Sequence, residues 1–138
     1  MDSNVADKIA LDWQSENIPN EDFLFMRVHK QNFTAKYPTF SPGVFVNRGE
    51  GMSTDWSKYS TPSETQNRGK IPKDNAVIKM LVSDVRKIEG QIVTHTPDIP
   101  KNNRSHTDIF GEKNDVEIRL KFTRISSNIV IKAEDHVE

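Results

Sequence analysis

The chain is predicted to fold as an α+β domain, a mostly antiparallel sheet of about five to seven short strands with two or three short helices against it. Three observations lead there. Short apolar runs with strand character recur along the chain, separated by turn residues. One helix start, Thr61-Pro-Ser-Glu64, is unambiguous. The composition is 34% hydrophobic and 28% charged, with seven prolines and six glycines scattered rather than clustered, which fits a modest core wrapped in ordered loops. At 138 residues a single domain over 1–138 is the simplest organisation.

Taken in order, Ser3 caps a helix through Val5, Ile9 and Trp13, whose spacing of four lines up one apolar stripe. Glu16 to Asp22 is a loop broken by Pro19. Phe23 to Val28 is a strand with Phe23, Phe25 and Arg27 on one face and Leu24, Met26 and Val28 on the other. Both faces are largely apolar, so it is expected at the centre of the sheet, with His29 at its end. After the turns of Gln31 to Gly43, Val44 to Val46 is read as a short strand. The glycine-bearing turn Asn47 to Gly51 then leads to Met52–Trp56 as the returning strand of a hairpin.

Thr61 as N-cap, Pro62 at the first helical position and Glu64 at the third form a capping box, so a helix runs over Pro62 to Arg68 until Gly69 stops it. Ala76 to Val82 is a strand, Ser83 to Gly90 a capped turn with a glycine exit, and Gln91 to His95 another strand. Pro97 to Ser105 is a polar loop, and Gly111 to Asn114 a turn. From Val116 to Arg124 the apolar Val116, Ile118, Leu120 and Phe122 alternate with Glu117, Arg119, Lys121 and Thr123. A helix reading through Ile118, Phe122, Ile125 and Ile129 also exists, but the β-branched content favours a strand. Asn128 to Ile131 extends the sheet, and Ala133 to Glu138 is a frayed acidic tail.

The formal net charge of −1 leaves no global field for nucleic acid or anionic membrane, so such a contact would need a local patch. The absence of cysteine excludes disulfides, thiolate metal sites and a cysteine nucleophile. Asp2, Asp7 and Asp12 replace the apolar core of a signal peptide, and no run approaches the roughly 20 apolar residues of a membrane span. A soluble cytoplasmic protein is expected, with no membrane partner and no motif that reads a DNA groove.

The stretch from His95 to Lys113 holds two of the four histidines, each followed by Thr, with Arg104 between them. Arg27-x-His29 and Arg104-x-His106 each put both side chains on one face where the backbone is extended. Two imidazoles flanked by two guanidiniums suit a phosphate and proton exchange with it near neutral pH. Metal-independent ribonucleases need that set: a base for the 2′-hydroxyl, an acid for the leaving oxygen and a cation on the nonbridging oxygens. His29 and His106 are therefore the candidate catalytic pair. Arg27 and Arg104 are the candidate phosphate clamps, and Ser53 and Thr107 supply further hydroxyl contacts. The plainer reading is that both histidines fix loops by bonding to backbone.

Three other constellations count for less. His95, His106, Asp98 and Asp108 have no compact metal-ligand spacing, so neither metal nor cofactor is expected. Ser53-Thr54-Asp55 does not have the second glycine of a nucleophile elbow and reads as hydroxyls capping a hairpin. Arg119, Lys121 and Arg124 with Lys113 form a basic row that Glu117 shares, an ordinary solvated face.

The segments Arg27-Val-His29, Phe40 to Phe45, Met52 to Trp56 and Asn103 to Lys113 resemble a group of small bacterial proteins of uncharacterised function. Its pattern has an Arg-Val-His strand end, a Pro-Ser turn, a Ser-Val-Asp segment and a late Asn-x-Ala-His block with a following glycine. Here Ser41-Pro42 reverses the turn and Ser105 replaces the alanine. The resemblance spans roughly residues 20 to 125, implies a bacterial protein and brings no activity with it. There is a fainter similarity to ADP-ribosyltransferase-like folds, without their catalytic glutamate motif. Two readings of function follow: a phosphate-directed site acting on RNA or a nucleotide, or a non-catalytic module that binds another protein in a bacterial multi-protein system.

Overall fold

A computed structural model describes residues 13–126 and 128–134. Its centre is an antiparallel six-stranded sheet built from β1 (Phe23–His29), β2 (Met52–Trp56), β3 (Asn75–Leu81), β4 (Ile92–His95), β5 (His106–Phe110) and β6 (Ile129–Ile131). The strand order is β4-β5-β2-β1-β3-β6. Among the described residues three helices accompany it: α1 (Pro62–Asn67), α2 (Val82–Arg86) and α3 (Val116–Ile125). The α+β class read from sequence is the architecture observed, and no helix among the described residues is long and apolar enough to cross a membrane.

The two faces of the sheet have different fates. Leu24, Met26 and Val28 of β1, Met52 and Trp56 of β2, Ile78 and Met80 of β3 and Ile109 of β5 share a core with Val82, Val85 and Ile88 of α2 and its exit, Phe122 of α3, and Phe40 and Phe45. Burial of this many large side chains is the dominant stabilising contribution. The alternating partners, among them Arg27, His29, Ser53, Asp55, His106 and Asp108, lie on the opposite face, which α1 covers only in part. Pairings such as Asp55↔His106 and Ser53↔Asp108 set that face. The central position expected for β1 is the one it holds, between β2 and β3.

The capping box forms as read: Thr61 Oγ1 accepts from Glu64 N at 3.1 Å and Glu64 Oε1 accepts from Thr61 N at 2.9 Å. Hydrogen bonding to the Thr61 backbone, then to its side chain, holds the Glu64 carboxyl below its usual range.

Several expectations are corrected. Val116–Ile125 is a helix, not a strand. Asp115 caps it by accepting from Glu117 N at 2.8 Å, and Phe122 is fully buried, stacked on Phe45 at 5.1 Å between ring centroids. Val116, which the strand reading buries, is 66% exposed. The alternation was met by chance, while the cap and the helical stripe Ile118–Phe122–Ile125 decide the conformation. The basic row fails with it, because residues two apart on a helix point in different directions and Lys113 is itself buried.

Residues 44–46 are not a strand. Pro42–Val44 is a single 3₁₀ turn capped by the Ser41 hydroxyl, and Phe45 plugs the core. β2 is therefore no hairpin return; it pairs with β1 and β5. Residues 106–110, not singled out as a strand, form β5. Ala133 is buried and Glu134 N donates to Lys73 O at 2.8 Å, so the chain is anchored where a frayed tail was expected to begin. The expected N-terminal helix falls on positions 1–12, outside the described residues, except for Trp13, which is not helical, and the last residues, 135–138, also lie outside them.

Candidate functional site

The incompletely covered face carries a cleft of about 640 Å³, within the usual size of small-molecule sites. Its origin is in the sheet. β1 pairs with β2 at Leu24↔Trp56 and Phe25↔Asp55. Beyond those rungs the cleft is lined by Met26, Val28, Met52 and Thr54 as well as by Arg27, His29 and Ser53. Successive residues of two neighbouring strands, whose side chains alternate between faces, border one hollow only where the strands part. Continuing the antiparallel count places Arg27 and Ser53 opposite one another across that parting.

Ser53 belongs to a relay. Its Oγ lies 3.1 Å from His106 Nε2. His106 Nδ1 lies 2.8 Å from Thr96 O and 3.1 Å from Thr96 Oγ1. A carbonyl oxygen can only accept, so Nδ1 carries the hydrogen and Nε2 of the neutral ring is the acceptor facing Ser53. Thr96 Oγ1 donates onward to Asp108 Oδ2 at 3.0 Å and accepts from Asp108 N at 3.1 Å. The imidazole is thereby held in one orientation and one tautomer, with its basic nitrogen turned into the cleft.

Below this relay sits Asp55, only 4% exposed. Its Oδ2 accepts from Thr65 Oγ1 and from Arg68 Nη1, both at 2.8 Å, and its Oδ1 accepts from Asn103 Nδ2 at 2.9 Å. Arg68 Nη1 also donates to Ser60 Oγ at 2.9 Å. One carboxylate thus ties α1, β2 and the 97–105 loop together. Asn103 in turn accepts from Ser105 N and Ser105 Oγ, which locks the loop that carries Asp98 and Lys101 to the cleft rim.

Four cationic side chains line the cleft, Arg27, Arg48, Arg68 and Lys101, against the carboxylates Asp55 and Asp98. Arg68 is spent on Asp55, whereas Arg27 Nη1 donates at 2.9 Å to a neutral acceptor, Thr65 O. Burial lowers the Arg27 pKa from its ordinary value, Asp55 opposes that, and Arg68 adds to it. A partly desolvated guanidinium gains most from an anion that enters beside it.

The residues singled out in the sequence are placed unevenly. Arg27, His29, Ser53 and His106 all line the cleft. His29 also performs the plainer task, its Nδ1 accepting from Gln31 N at 3.1 Å. It sits at the far end: two strand spacings and four residues of rise put its Cα about 16 Å from that of His106. Thr107 is fully buried on the other face and donates to Ser105 O.

Arg104 is not brought to the cleft. Its guanidinium lies 4.3 Å from the centre of the Tyr59 ring and its Nη2 3.6 Å from Glu16 Oε2. The Arg-x-His rule needs extended backbone, and residues 104 and 105 are a turn. Arg48, Arg68, Lys101 and Thr96 went unnoticed as site residues in the sequence, and Asp55 and Asn103 entered it only within the Ser53-Thr54-Asp55 and Asn103 to Lys113 segments. Asp55 carried a usable signal, since aspartate is depleted inside strands.

His95 lies on the core side, its ring 5.0 Å from Trp56. Its Nδ1 accepts from Glu16 N at 3.0 Å and its Nε2 donates to Arg104 O at 2.7 Å, so both ring nitrogens are occupied. Lys58, then Tyr59, hold the nearby Glu16 carboxyl below its usual pKa. Among the described residues no group of three or more His, Asp or Glu side chains is placed to hold a metal ion. No family model, no curated protein and no solved structure matches the chain.

Proposed function

We propose that the cleft is a phosphate-directed site acting on RNA or a nucleotide, with His106 as the proton-transfer group and Arg27 as the main phosphate contact. One observation carries the reading: the row Arg27, Ser53, His106 crosses the parting of β1 and β2, in a cleft with more cationic than acidic side chains on a chain of net charge −1. A local excess of positive charge on a near-neutral protein concentrates anions at that place.

In this proposal a ribose hydroxyl or a water replaces the Ser53 hydroxyl at His106 Nε2 and gives up its proton there as its oxygen bonds to phosphorus; the P–O bond opposite breaks, and the leaving oxygen takes a proton from solvent in the open cleft. The Thr96 carbonyl holds Nδ1–H and supports the imidazolium that results. Arg27, with Arg48 and Lys101 at the rim, neutralises the nonbridging oxygens as charge builds on them. His29 stands two residues beyond Arg27 on β1, too far from His106 to share one phosphorus atom, and is assigned to phosphate binding. Arg104 and Thr107 take no part.

The test is a purified-protein assay on end-labelled RNA and on nucleotides, with wild type, His106→Ala and Arg27→Met compared. His106→Ala is expected to lower turnover by about 100-fold, the usual worth of a positioned acid or base. Arg27→Met is expected to weaken substrate binding about tenfold, as loss of a charge-assisted contact does. Turnover by His106→Ala equal to wild type would remove His106 from the chemistry.

A further inference from the structure

Past Arg27 and His29 the cleft does not end. A second hollow of about 300 Å³ continues from it, and the two share Arg27, His29, Arg68 and Asn75 as a common wall. The second hollow adds Gly69, Lys70, Ile71 and Asp74, whose carboxylate is paired with Lys30 at 3.1 Å. Lys70 and Ile71 are surface residues, and Ile71 is 49% exposed, one of three large apolar side chains left open to solvent among the described residues. Gly69 lies beside the shared wall, where a Cβ would come within 2.6 Å of Asn75 Nδ2 and 3.2 Å of Arg27 Cδ. A side chain there would push the Asn75 amide aside and crowd the Arg27 side chain by a few tenths of an ångström.

We infer that the site takes a single-stranded oligonucleotide and not a mononucleotide. The inference rests on the phosphate-directed reading of the cleft. A phosphate at Arg27, on the wall the two hollows share, with bulk on one side only fills one hollow. A phosphodiester, which carries a nucleoside on each side, fills both. Ile71 offers an apolar surface on which a base lies, and Lys70 meets the next phosphate along the strand. Phosphate contacts of this kind hold a strand in register without reading its sequence.

The experiment measures binding by fluorescence anisotropy at fixed salt, with a nucleoside monophosphate, a dinucleotide and a tetranucleotide of RNA as competitors of a labelled octamer. Affinity is expected to rise at least tenfold from monophosphate to tetranucleotide. Lys70→Glu and Ile71→Ser are expected to remove that increment and to leave monophosphate binding as it is; Lys70→Glu also lowers the salt slope by about one. Monophosphate binding that needs Arg27 but does not strengthen with length overturns the inference and leaves the phosphate-directed reading standing. No competition by any of the three overturns both.

Discussion

Asp55 is the side chain on which the cleft walls depend. It is a buried carboxylate, and the hydrogen bonds it accepts come from two other parts of the chain: Thr65 and Arg68 around α1, and Asn103 in the 97–105 loop. A buried carboxylate is tolerable only with such company. Asp55→Ala is expected to destabilise the protein by about 2–3 kcal/mol, the cost of orphaning donors to a charged acceptor, softened because Arg68 still reaches water. The urea midpoint measures this, and a change below about 0.5 kcal/mol would mean that the network contributes nothing beyond ordinary surface contacts. Arg27, His29 and His106 were legible as site candidates because their chemistry is unusual in strands. Arg104 shared that chemistry but stands in a turn. Thr107 has the wrong parity on β5, which no residue type announces.

Among the elements, α1 was the most legible because its start is written entirely in local contacts. Both halves of the capping box form, and the helix they begin carries Thr65 to Asp55, with Arg68 at its C-terminal end. Thr61→Ala removes the Oγ1 acceptor and releases the Glu64 backbone donor, for a loss of about 1 kcal/mol. Because the helix is only Pro62–Asn67, fraying its first turn should also weaken any anion bound beside Arg27. Thermal unfolding with and without added phosphate reads both effects; unchanged phosphate protection in Thr61→Ala would detach α1 from the site. α3 was misread for the opposite reason. Its apolar residues satisfy period two as well as the helical stripe, and β-branched residues favour the strand on propensity alone. The aromatic surface around Phe45, assembled from elsewhere in the chain, rewards the helix. Residues 44–46 show the same override, since Phe45 gains more from the core than from a ladder.

The molecule as a whole divides its charge unevenly between inside and outside. Lys113 is 2% exposed, and its Nζ donates to Ile109 O at 2.8 Å and Gly111 O at 3.0 Å where β5 ends. Burial pulls its pKa down from 10.5 to about 8, against a weaker upward pull from Glu112 and Asp108. The unfolded chain therefore holds this proton up to pH 10.5 while the folded one gives it up near 8. Between those values the unfolded state binds more protons, so this group's contribution to stability rises with pH. Below about pH 8 the full cost of burying the ammonium is carried. Wild type is expected to gain on Lys113→Met as the pH is raised from about 8 toward 10.5, measured by urea midpoints in matched buffers. A gap that stays constant across that range would show that burial does not shift this lysine.

Local signals alone were enough for the capping box at Thr61, the central strand at Phe23, the turns at glycine and the polar loop before Ser105, since each depends on residues within a few positions of one another. The pairing of Ser53 with His106, the hub at Asp55, the helix at Val116 and the removal of Arg104 to the Tyr59 ring were settled by folding. They join residues tens of positions apart, and strand order and parity, which no short stretch encodes, choose which side chains share a face.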